Sequence, residues 1–450
     1  MNQHIHLIGI GGTGMGPLAK VFLEMGHSVS GSDLQPSDTT DYLTKLGAKI
    51  YFKHAAANVN GATSVIYSSA IPRQNPEMVA ARENGMNVLH RSEVLAQLLN
   101  SKRGIAVAGA HGKTTITSML ALCLENSGFD PTVLIGAHFA PFGPGAKYGQ
   151  GEFVVAEADE SDGSFLRYRP EVSVVTSIEP DHLENYNGTF ASLIDGYRRF
   201  LANCMPQGLR LIGVDDTVAA SISQEFSCVT YGFSPQAQWR AEVLRLDQQT
   251  AQFRVYHQGR FFADFELAVP GRHNVANALA CIVVATYAGV SIAQIQTALR
   301  AFRGAQRRFQ VIGSANGAIV VDDYAHHPTE VAATIKAARE GWPERRIIAV
   351  FQPHRYSRTA LLFDDFSRSF QEADIVIVTD IYAPPPEQAI PGVSSSVLAE
   401  RIRDHRGPKK VYHIPQQEDV APFLQGWLGT GDLVLVMGAG PIWRVARDLV

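Results

Sequence analysis

Short runs of apolar, β-prone residues alternate with helical patterns along the whole chain, and this alternation constrains the fold more than any other feature. Examples are HIHLIGI near the start, GIAVAGA and FVVAEAD in the middle, and RRIIAVF and DLVLVMG towards the end. A continuous apolar strand followed by a helix is typical of a parallel sheet that helices cover on both faces. The sequence therefore predicts an α/β fold built on parallel sheets.

The chain has 450 residues, which exceeds the usual size of one hydrophobic core, so two or three domains are expected. A polar break, NSKRG, follows the first block near Asn100, and a third block begins at VIGSANGAIVVDD after Gln310, so we predict domains over residues 1–100, 101–310 and 311–450. Between Leu209 and Leu267, alternating segments such as QFRVYHQGRFFADFEL predict an antiparallel patch within the middle domain.

Composition narrows the classes of function. The net charge of −4 gives no electrostatic reason to expect nucleic acid or an anionic membrane as a partner. The four cysteines lack CxxC spacing, which favours buried thiols in a reducing compartment over a disulfide or a metal site. No apolar run has the length of a membrane span, and the chain starts with a predicted strand rather than a signal peptide. We therefore expect a cytoplasmic protein.

The first predicted strand leads into GIGGTGMG, a glycine-rich loop. The spacing of Gly9, Gly11 and Gly14 is typical of a loop that brings its backbone close to a diphosphate at a helix N-terminus. An NAD-dependent dehydrogenase would explain this loop, with Asp33 as the acid that binds a ribose. Such an enzyme would leave the motifs further along the chain unexplained.

The strongest local signal is GIAVAGAHGKTTITSML, in which a strand ends at Ala108 and a helix opens at Lys113. Backbone N–H groups of such a loop surround phosphates, the lysine reaches their β and γ oxygens, and Thr114 offers a hydroxyl to Mg²⁺. The loop departs from the usual pattern because Val107 occupies the first glycine position. The context of strand, loop and helix still predicts ATP binding rather than an ordinary glycine turn.

Two strand ends beyond this loop carry polar side chains. FVVAEADESD places Glu157, Asp159, Glu160 and Asp162 after one strand, and VSVVTSIEPDH places Asp181 and His182 after the next. Ligands of open α/β sheets bind at the carboxyl ends of strands, and carboxylates are oxygen ligands that Mg²⁺ prefers. A solvated acidic loop and a structural histidine are the alternatives.

Clusters in the last third of the chain also admit two interpretations. Asn274 and Asn277 share one face at a predicted helix start, where they either bind an adenine or substrate group or cap the helix. Arg307 and Arg308 precede the third block, where an arginine either completes a phosphate clamp or forms a surface pair.

The third block has polar side chains at two further strand ends, which predict an anion or carboxylate site. These are Asp322, Asp323, Tyr324, His326 and His327 after AIVV, and His354, Arg355 and Arg358 after RRIIAVF.

The order of motifs resembles that of the Mur ligases of peptidoglycan synthesis over essentially the whole chain. These motifs are GxGGxGMG, GxHGKTT, EADESD, DHxxxY, GRHNxxN, RRF, DDYxHHPTE and FQPHRYSRT. The last two are most similar to those of members that join L-alanine to UDP-N-acetylmuramate. The resemblance implies a Rossmann-like UDP-sugar domain, a central P-loop ATPase domain with a parallel sheet and a small antiparallel sheet, and a Rossmann-like C-terminal domain that binds the amino acid. It also implies that ATP is consumed through an acyl phosphate.

The resemblance further implies functional residues by position. The UDP-sugar site would contain Gly11, Gly12, Thr13, Gly14, Met15, Gly16, Asp33, Ser69 and Arg91. The ATP site would contain Gly109, His111, Gly112, Lys113, Thr114, Thr115, His273, Asn274, Asn277 and Arg308. Thr114, Glu157 and His182 would hold magnesium, with two ions expected. The L-alanine site would contain Tyr324, His326, Arg355 and Arg358. The catalytic residues would be Lys113, Arg308, Asp323 and His326, with His326 as the general base and Asp323 or phosphate as competitors for that role.

Some positions depart from the family pattern. Ala110 and Ser177 replace the usual Thr and Asn, and no lysine lies between Lys147 and Lys336, so the carbamylated lysine of the later Mur ligases has no counterpart. The rival within the class is a murein peptide ligase, which adds a tripeptide to the same sugar. A non-catalytic nucleotide-binding regulator is a further alternative. The expected partners are small-molecule substrates, with neither nucleic acid nor membrane, and the protein is expected to be a monomer or dimer.

Overall fold

The computed structural model describes residues 3–384, 387–405 and 407–450, and these residues form three sheets with helices between the strands. The first sheet has the order β3-β2-β1-β4-β5, and its neighbouring strands pair in parallel. Its strands are β1 (His4–Ile8), β2 (Ser28–Ser32), β3 (Lys49–Tyr51), β4 (Ser64–Tyr67) and β5 (Asn87–His90). Its helices are α1 (Met15–Glu24), α2 (Asp38–Lys45), α3 (Pro76–Glu83) and α4 (Arg91–Asn100).

The second sheet has the order β15-β14-β13-β12-β11-β10-β6-β9-β7-β8. Its strands are β6 (Arg103–Ala108), β7 (Thr132–Leu134), β8 (Ala146–Lys147), β9 (Phe153–Glu157), β10 (Val172–Val175), β11 (Leu209–Gly213), β12 (Val229–Gly232), β13 (Trp239–Asp247), β14 (Thr250–His257) and β15 (Arg260–Leu267). The helices in this part of the chain are α5 (Lys113–Asn126), α6 (Phe190–Ala202), α7 (Thr217–Ser223), α8 (Arg272–Tyr287) and α9 (Ile292–Ala301).

The predicted antiparallel patch is shorter than expected. Strands β11 and β12 pair in parallel, as do β12 and β13, so the segment from Leu209 to the start of β13 belongs to the parallel part of the sheet. Strands β13, β14 and β15 are consecutive neighbours joined by two-residue turns, and a connection that short joins only antiparallel strands. The alternating pattern therefore identified the hairpins correctly, but its start was placed too early.

The third sheet has the order β16-β17-β21-β18-β19-β20, with β16 antiparallel to β17 and the other pairs parallel. Its strands are β16 (Gln310–Ala315), β17 (Ala318–Asp323), β18 (Arg346–Phe351), β19 (Ile375–Val378), β20 (Lys410–His413) and β21 (Asp432–Met437). Its helices are α10 (Pro328–Gly341), α11 (Tyr356–Leu361), α12 (Phe363–Arg368), α13 (Ser395–Asp404), α14 (Val420–Gln425) and α15 (Trp443–Leu449). The expected α/β fold is confirmed.

The described residues also divide into two compact units. The first contains the residues up to Ala241, Val255–Ala263 and Asn277–Leu299, and the second contains Glu242–Arg254, Asp264–Ala276 and the residues from Arg300 onward. Both the first sheet and the phosphate loop therefore belong to one unit. The boundaries near residues 100 and 310 stay predictions.

Buried apolar side chains explain why helix α5, which follows the phosphate loop, packs inside the molecule. In α5, the side chains of Ile116, Leu120 and Cys123 are fully buried, because the helix lies under the sheet rather than at the surface. The Sγ atom of Cys123 lies 3.7 Å from that of Cys281 in α8, and both cysteines are free thiols.

Within the described residues, no helix combines the length and apolarity that crossing a bilayer requires.

Candidate active site

The first glycine loop lies between β1 and α1, at the carboxyl edge of the first sheet. The backbone N–H of Gly11 donates to Asp33 Oδ2 at 2.8 Å, so Asp33 holds the loop from the end of the neighbouring strand β2. A Cβ atom on Gly14 would collide with the guanidinium of Arg91. The structure thus brings the loop, Asp33 and Arg91 together, as expected for the predicted UDP-sugar residues.

Ser69 and Arg91 both contact the loop that follows β9, which we call the acidic loop (residues 158–163). The hydroxyl of Ser69 donates to Asp162 Oδ2 at 2.8 Å. Arg91 Nη2 lies 3.8 Å from a carboxylate oxygen of Asp159 and 3.8 Å from one of Asp162. These two aspartates were considered as magnesium-type acids, and in the structure they face the predicted UDP-sugar residues.

The phosphate loop connects β6 to α5, as predicted. Gly109 and Gly112 have φ angles of +130° and +83°, which side chains rarely adopt. A Cβ on Gly109 would lie 2.8 Å from the backbone nitrogen of Thr176, so a glycine is required there. The loop therefore leaves its backbone open at the N-terminus of α5, where an anion is stabilised by the helix dipole and by unpaired N–H groups.

Lys113 forms a buried ion pair that the sequence did not reveal. Its Nζ lies 2.7 Å and 3.0 Å from the two carboxylate oxygens of Glu160 and 2.5 Å from the carbonyl oxygen of Gly109. Burial has the largest single effect and lowers the pKa of Lys113, but the charges of Glu160, Asp159 and Glu157 and the hydrogen bond to Glu160 together raise it above its usual value. Lys113 is therefore a cation at neutral pH, with Glu160 as its counter-charge.

Strands β9 and β10 flank β6 on its two sides, so the ends of all three strands meet at one edge of the sheet. Glu157 ends β9, and its Oε1 accepts the backbone N–H of Gly136 at 2.7 Å. His182 has a φ of +55°, and its Nε2 lies 3.5 Å from Asp181 Oδ2. Thr114 is 6% exposed in the first turn of α5. The phosphate loop thus lies between the strand ends that carry the predicted metal ligands.

The residues predicted to bind the adenine end of ATP make different contacts. His273, Asn274 and Asn277 all lie in the first turns of α8. The side-chain amide of Asn274 donates to the carbonyl of Pro270 at 2.7 Å, which is a local contact of the kind that the capping alternative predicted. A Cβ on Gly112 would collide with Asn277 Oδ1, so the Asn277 amide lies against the phosphate loop.

A second group of predicted residues lies in the other unit, at the ends of β17 and β18. Asp323 accepts the backbone N–H of Phe309 and that of Ala325, each at 2.7 Å. Burial raises the pKa of Asp323 to about 6. The guanidinium of Arg308 lies 5.3 Å from the centre of the Tyr324 ring. Asp323 therefore orders the segments that present Arg308 and Tyr324.

His326 has a defined tautomer in this group. Its Nδ1 lies 2.9 Å from the carbonyl oxygen of Tyr324 and 3.3 Å from Glu330 Oε2, so Nδ1 carries the proton and Nε2 is the basic nitrogen. Burial lowers the pKa of His326 to about 4, so the ring is neutral at pH 7. The His326 ring packs edge-on against that of Tyr324 at 5.1 Å.

The two predicted arginines follow β18. Arg358 is 7% exposed, and its Nη1 lies 3.3 Å from His354 Nδ1. Arg355 has a φ of +68°, and its backbone N–H donates to the carbonyl of Tyr382 at 2.9 Å. Burial, together with His326 and both arginines, lowers the pKa of His354 to about 3. His354 therefore lies between Arg358 and His326, with its ring centre 6.1 Å from that of His326.

The sequence reasoning did not identify Glu330 beside His326 or Tyr382 beside the arginines. It named Glu160 and His354 in polar clusters, but did not identify Lys113 and Arg358 as their partners. Glu330 could have been found from HHPTE, because a glutamate three positions after a helix cap is a capping-box signature. Glu160 was visible in EADESD, but nothing local indicates which of its acids faces Lys113.

Comparison with known proteins supports one family over the whole chain. Residues 4–103 match the Mur ligase family catalytic domain, residues 107–285 match the Mur ligase middle domain, and residues 307–440 match the Mur ligase glutamate ligase domain. A protein of Symbiobacterium thermophilum named UDP-N-acetylmuramate–L-alanine ligase is 48% identical over 99% of this chain and 94% of its own length. Its counterpart of the same name in Pelotomaculum thermopropionicum is 45% identical over 100% of this chain and 97% of its own length.

Solved structures agree with this comparison. The UDP-N-acetylmuramate–alanine ligase of Thermotoga maritima superimposes with a TM-score of 0.85 at 29% identity, over 100% of this chain and 98% of its own. A murein peptide ligase of Psychrobacter arcticus shares the fold, with a TM-score of 0.70 at 24% identity, over 100% of this chain and 98% of its own. With these matches, the glycine loop is that of a ligase rather than of a dehydrogenase, and the chain belongs to the Mur ligase family.

Proposed function

We propose that the protein joins L-alanine to the carboxylate of UDP-N-acetylmuramate in peptidoglycan synthesis and converts ATP to ADP and phosphate. The observation that carries this proposal is the similarity of the whole chain to relatives that bear the name of this activity. The buried Lys113 at the N-terminus of α5 supports it, because it is a cation placed where a phosphate loop binds a nucleotide.

The need for ATP follows from the chemistry of the sugar carboxylate. A carboxylate is a poor electrophile, since an amine that attacks it would have to expel oxide. Transfer of the γ-phosphoryl group to the carboxylate oxygen makes phosphate the leaving group instead. Lys113 and the backbone N–H groups of the phosphate loop would offset the negative charge that spreads over the transferring oxygens.

Magnesium fits part of the predicted ligand set. Thr114 supplies a hydroxyl and Glu157 a carboxylate, and both are hard oxygen ligands at the edge where the phosphate loop opens. His182 supplies an imidazole, which suits softer divalent ions better than Mg²⁺. We propose that Thr114 and Glu157 hold Mg²⁺, with His182 as a further ligand. When bound, the metal would neutralise charge on the phosphate oxygens.

The second group of residues fits an amino-acid site. Arg355 and Arg358 would bind the carboxylate of alanine, and Tyr324 and His326 would lie beside its amine. The amine must lose a proton as it attacks, and His326 Nε2 is a neutral acceptor because Nδ1 holds the ring proton. Asp323 and the departing phosphate remain competitors for this role. Arg308, with Asp323, would reach the nucleotide phosphates.

The remaining assignments follow the same proposal. The glycine loop, Asp33, Ser69 and Arg91 would bind the UDP-sugar, and His111, His273, Asn274 and Asn277 would bind ATP together with the phosphate loop. We infer a cytoplasmic location and a monomeric or dimeric state.

A phosphate-release assay tests the function. We expect the purified protein to release phosphate only when ATP, Mg²⁺, UDP-N-acetylmuramate and L-alanine are all present, and mass spectrometry should detect the alanyl product. An L-alanyl-γ-D-glutamyl-diaminopimelate tripeptide replaces alanine in a parallel reaction. Faster turnover with the tripeptide would favour a murein peptide ligase. Phosphate release at the same rate with and without UDP-N-acetylmuramate would contradict both activities.

A further inference from the structure

The acidic loop contacts both predicted ligand sites of the first unit. Asp159 and Asp162 face the UDP-sugar residues Ser69 and Arg91. Near its middle, Glu160 faces the ATP residue Lys113. The same short segment therefore supplies carboxylates to cations at two sites that bind anionic ligands.

On the side of the UDP-sugar residues, each aspartate accepts a nearby backbone N–H with one oxygen and directs the other oxygen to Ser69 or Arg91. Asp162 Oδ1 accepts the backbone N–H of Ser164 at 3.0 Å, while its Oδ2 accepts the Ser69 hydroxyl at 2.8 Å. Asp159 Oδ1 accepts the N–H of Ser161 at 3.0 Å, while its Oδ2 lies 3.8 Å from Arg91. A diphosphate bound by Arg91 would compete with these carboxylates for the same guanidinium.

At the ATP end, the ammonium group of Lys113 has three N–H donors, and the structure directs them to three oxygens. These belong to the carbonyl of Gly109 and to both carboxylate positions of Glu160. A phosphate oxygen that binds Lys113 must therefore displace at least one oxygen of Glu160. Because this ion pair is buried, opening it has a substantial cost that a second event can reduce.

Hydrogen bonds within the acidic loop, and to the segment after His182, hold its residues in a fixed arrangement relative to one another. The N–H of Gly163 donates to the carbonyl of Glu160 at 3.0 Å, and the Asn185 amide donates to the carbonyl of Ser161 at 2.8 Å. Tyr186 also donates its hydroxyl to the Glu160 carbonyl. Glu160 and Asp162 are only two residues apart, so a displacement at one is transmitted to the other.

We propose that the acidic loop couples the UDP-sugar site to the ATP site, with Asp162 and Glu160 as positioning residues. A diphosphate at Arg91 frees Asp159 and Asp162, which flank Glu160, and thereby lowers the cost of releasing Lys113 from Glu160. Because coupling free energies are reciprocal, ATP favours the binding of the UDP-sugar by the same factor. The inference rests on the proposed function, since it requires both ligands to bind.

Calorimetric titration of the full chain measures this coupling. The dissociation constant of the ATP analogue AMP-PNP with Mg²⁺ is determined with and without saturating UDP-N-acetylmuramate, in the absence of alanine. For the wild type we expect the sugar to tighten AMP-PNP binding by between about 5-fold and 150-fold. In Asp162→Asn the factor should fall to about 2-fold or less, because Arg91 then keeps only Asp159 as a carboxylate partner in the acidic loop.

Two further variants separate coupling from general damage to the loop. In Glu160→Gln, AMP-PNP alone should bind more tightly, because Lys113 no longer has an anionic partner, and the effect of the sugar should shrink. Asp162→Glu keeps the carboxylate and should restore part of the factor. The matched control is Asp130→Asn, which breaks an ion pair of 2.7 Å with Lys147 and should keep the wild-type factor.

The outcomes distinguish failure of this inference from failure of the proposed function. A wild type that binds both ligands with no mutual effect overturns the coupling and leaves the function intact. The coupling is also overturned if Glu160→Gln, or a folded Asp162→Asn, keeps the full factor. A wild type that binds neither UDP-N-acetylmuramate nor AMP-PNP contradicts the proposed function itself.

Discussion

Burial decides the charge state of single residues in the predicted alanine site. His326 and His354 are both neutral at pH 7, because burial lowers the pKa of each below its usual value. Arg355 and Arg358 beside them keep their charge, as guanidinium groups do in proteins. The site therefore combines neutral nitrogen acceptors with fixed positive charge, an arrangement that suits a zwitterionic amino acid whose amine must lose a proton.

His326 should make the protein sensitive to acid. Its pKa is lowered from 6.5 to about 4, so the unfolded chain binds more protons than the folded chain between these values. The contribution of His326 to stability is complete above pH 6.5 and is lost as the pH falls towards 4. Between pH 7 and pH 5, we expect the wild type to lose about 2 kcal/mol more free energy of unfolding than His326→Gln does.

Urea unfolding at the two pH values measures this difference. His27→Gln, at a partly buried histidine of the first unit, should follow the wild type at both pH values. If His326→Gln lost as much stability as the wild type on acidification, the ring would not be held neutral by burial.

At the scale of elements, helix starts and strand ends place the chemistry. Helix α5 begins directly after Gly112, and α10 begins with Pro328 behind a capping box formed by His327 and Glu330. Such signals are local, since they depend on backbone donors in the first turn of a helix and on residues that tolerate the required φ angles. The positions of Lys113 and His326 along their elements were therefore predictable.

The two glycines at the ends of α5 allow a matched test of the phosphate loop. Gly112 and Gly128 have φ angles of +83° and +81°, so alanine strains the backbone similarly, by about 1 kcal/mol. A Cβ at Gly112 would also collide with Asn277, whereas no atom lies within 4 Å of one at Gly128. We expect Gly112→Ala to weaken AMP-PNP binding by about 10-fold or more, and Gly128→Ala to lower only the stability.

Calorimetry of both variants, with thermal unfolding alongside, provides the measurement. Equal nucleotide affinity in the two variants would show that the loop tolerates a Cβ at Gly112 and that the contact with Asn277 has no role in binding.

At the scale of the whole molecule, one predicted ligand group lies at the carboxyl ends of parallel strands in each of the three sheets. The first sheet carries the glycine loop, the second carries the phosphate loop and Glu157, and the third carries Asp323 and the segment with Arg355. This placement follows from the parallel topology, because every crossover leaves its loop and helix N-terminus at the same edge. Three sheets, each with a predicted ligand group at its own carboxyl edge, suit a reaction with three substrates.

Loss of the Lys113 side chain should abolish the stabilisation of the protein by a nucleotide but not the stabilisation by UDP-N-acetylmuramate. A ligand that binds only the folded state at 100 times its dissociation constant stabilises a protein by about 2.7 kcal/mol. We expect AMP-PNP with Mg²⁺ to raise the thermal unfolding midpoint of the wild type but not that of Lys113→Ala, because the phosphate contact is removed. UDP-N-acetylmuramate alone should raise the midpoint of both proteins.

Scanning calorimetry of the full chain with each ligand in turn provides the comparison. An AMP-PNP shift that survives in Lys113→Ala would contradict the assignment of this lysine. The loss of both shifts would instead indicate that the substitution disturbs the fold.

Much of the site could be predicted because its signals are local in the chain. Strand ends at Ala108 and Glu157, helix starts at Lys113 and Pro328, and the glycines between them were all read correctly. The start of the antiparallel patch was wrong, because alternation of side chains does not show which strand is the neighbour. The roles of Asp159 and Asp162 were also incomplete, since an acidic run does not indicate which cation each carboxylate faces.

The sequence by itself determined the α/β fold class, the two glycine-rich loops and the polar residues at each strand end, because periodicity, glycine conformations and helix caps act over a few neighbouring residues. Only the tertiary structure decided that Glu160 pairs with Lys113, that Asp162 meets Ser69, and that the sulfur atoms of Cys123 and Cys281 lie 3.7 Å apart. These partners are tens of residues or more apart in the chain. Their contacts depend on the order of strands in a sheet and on how helices pack over it, which no local pattern encodes.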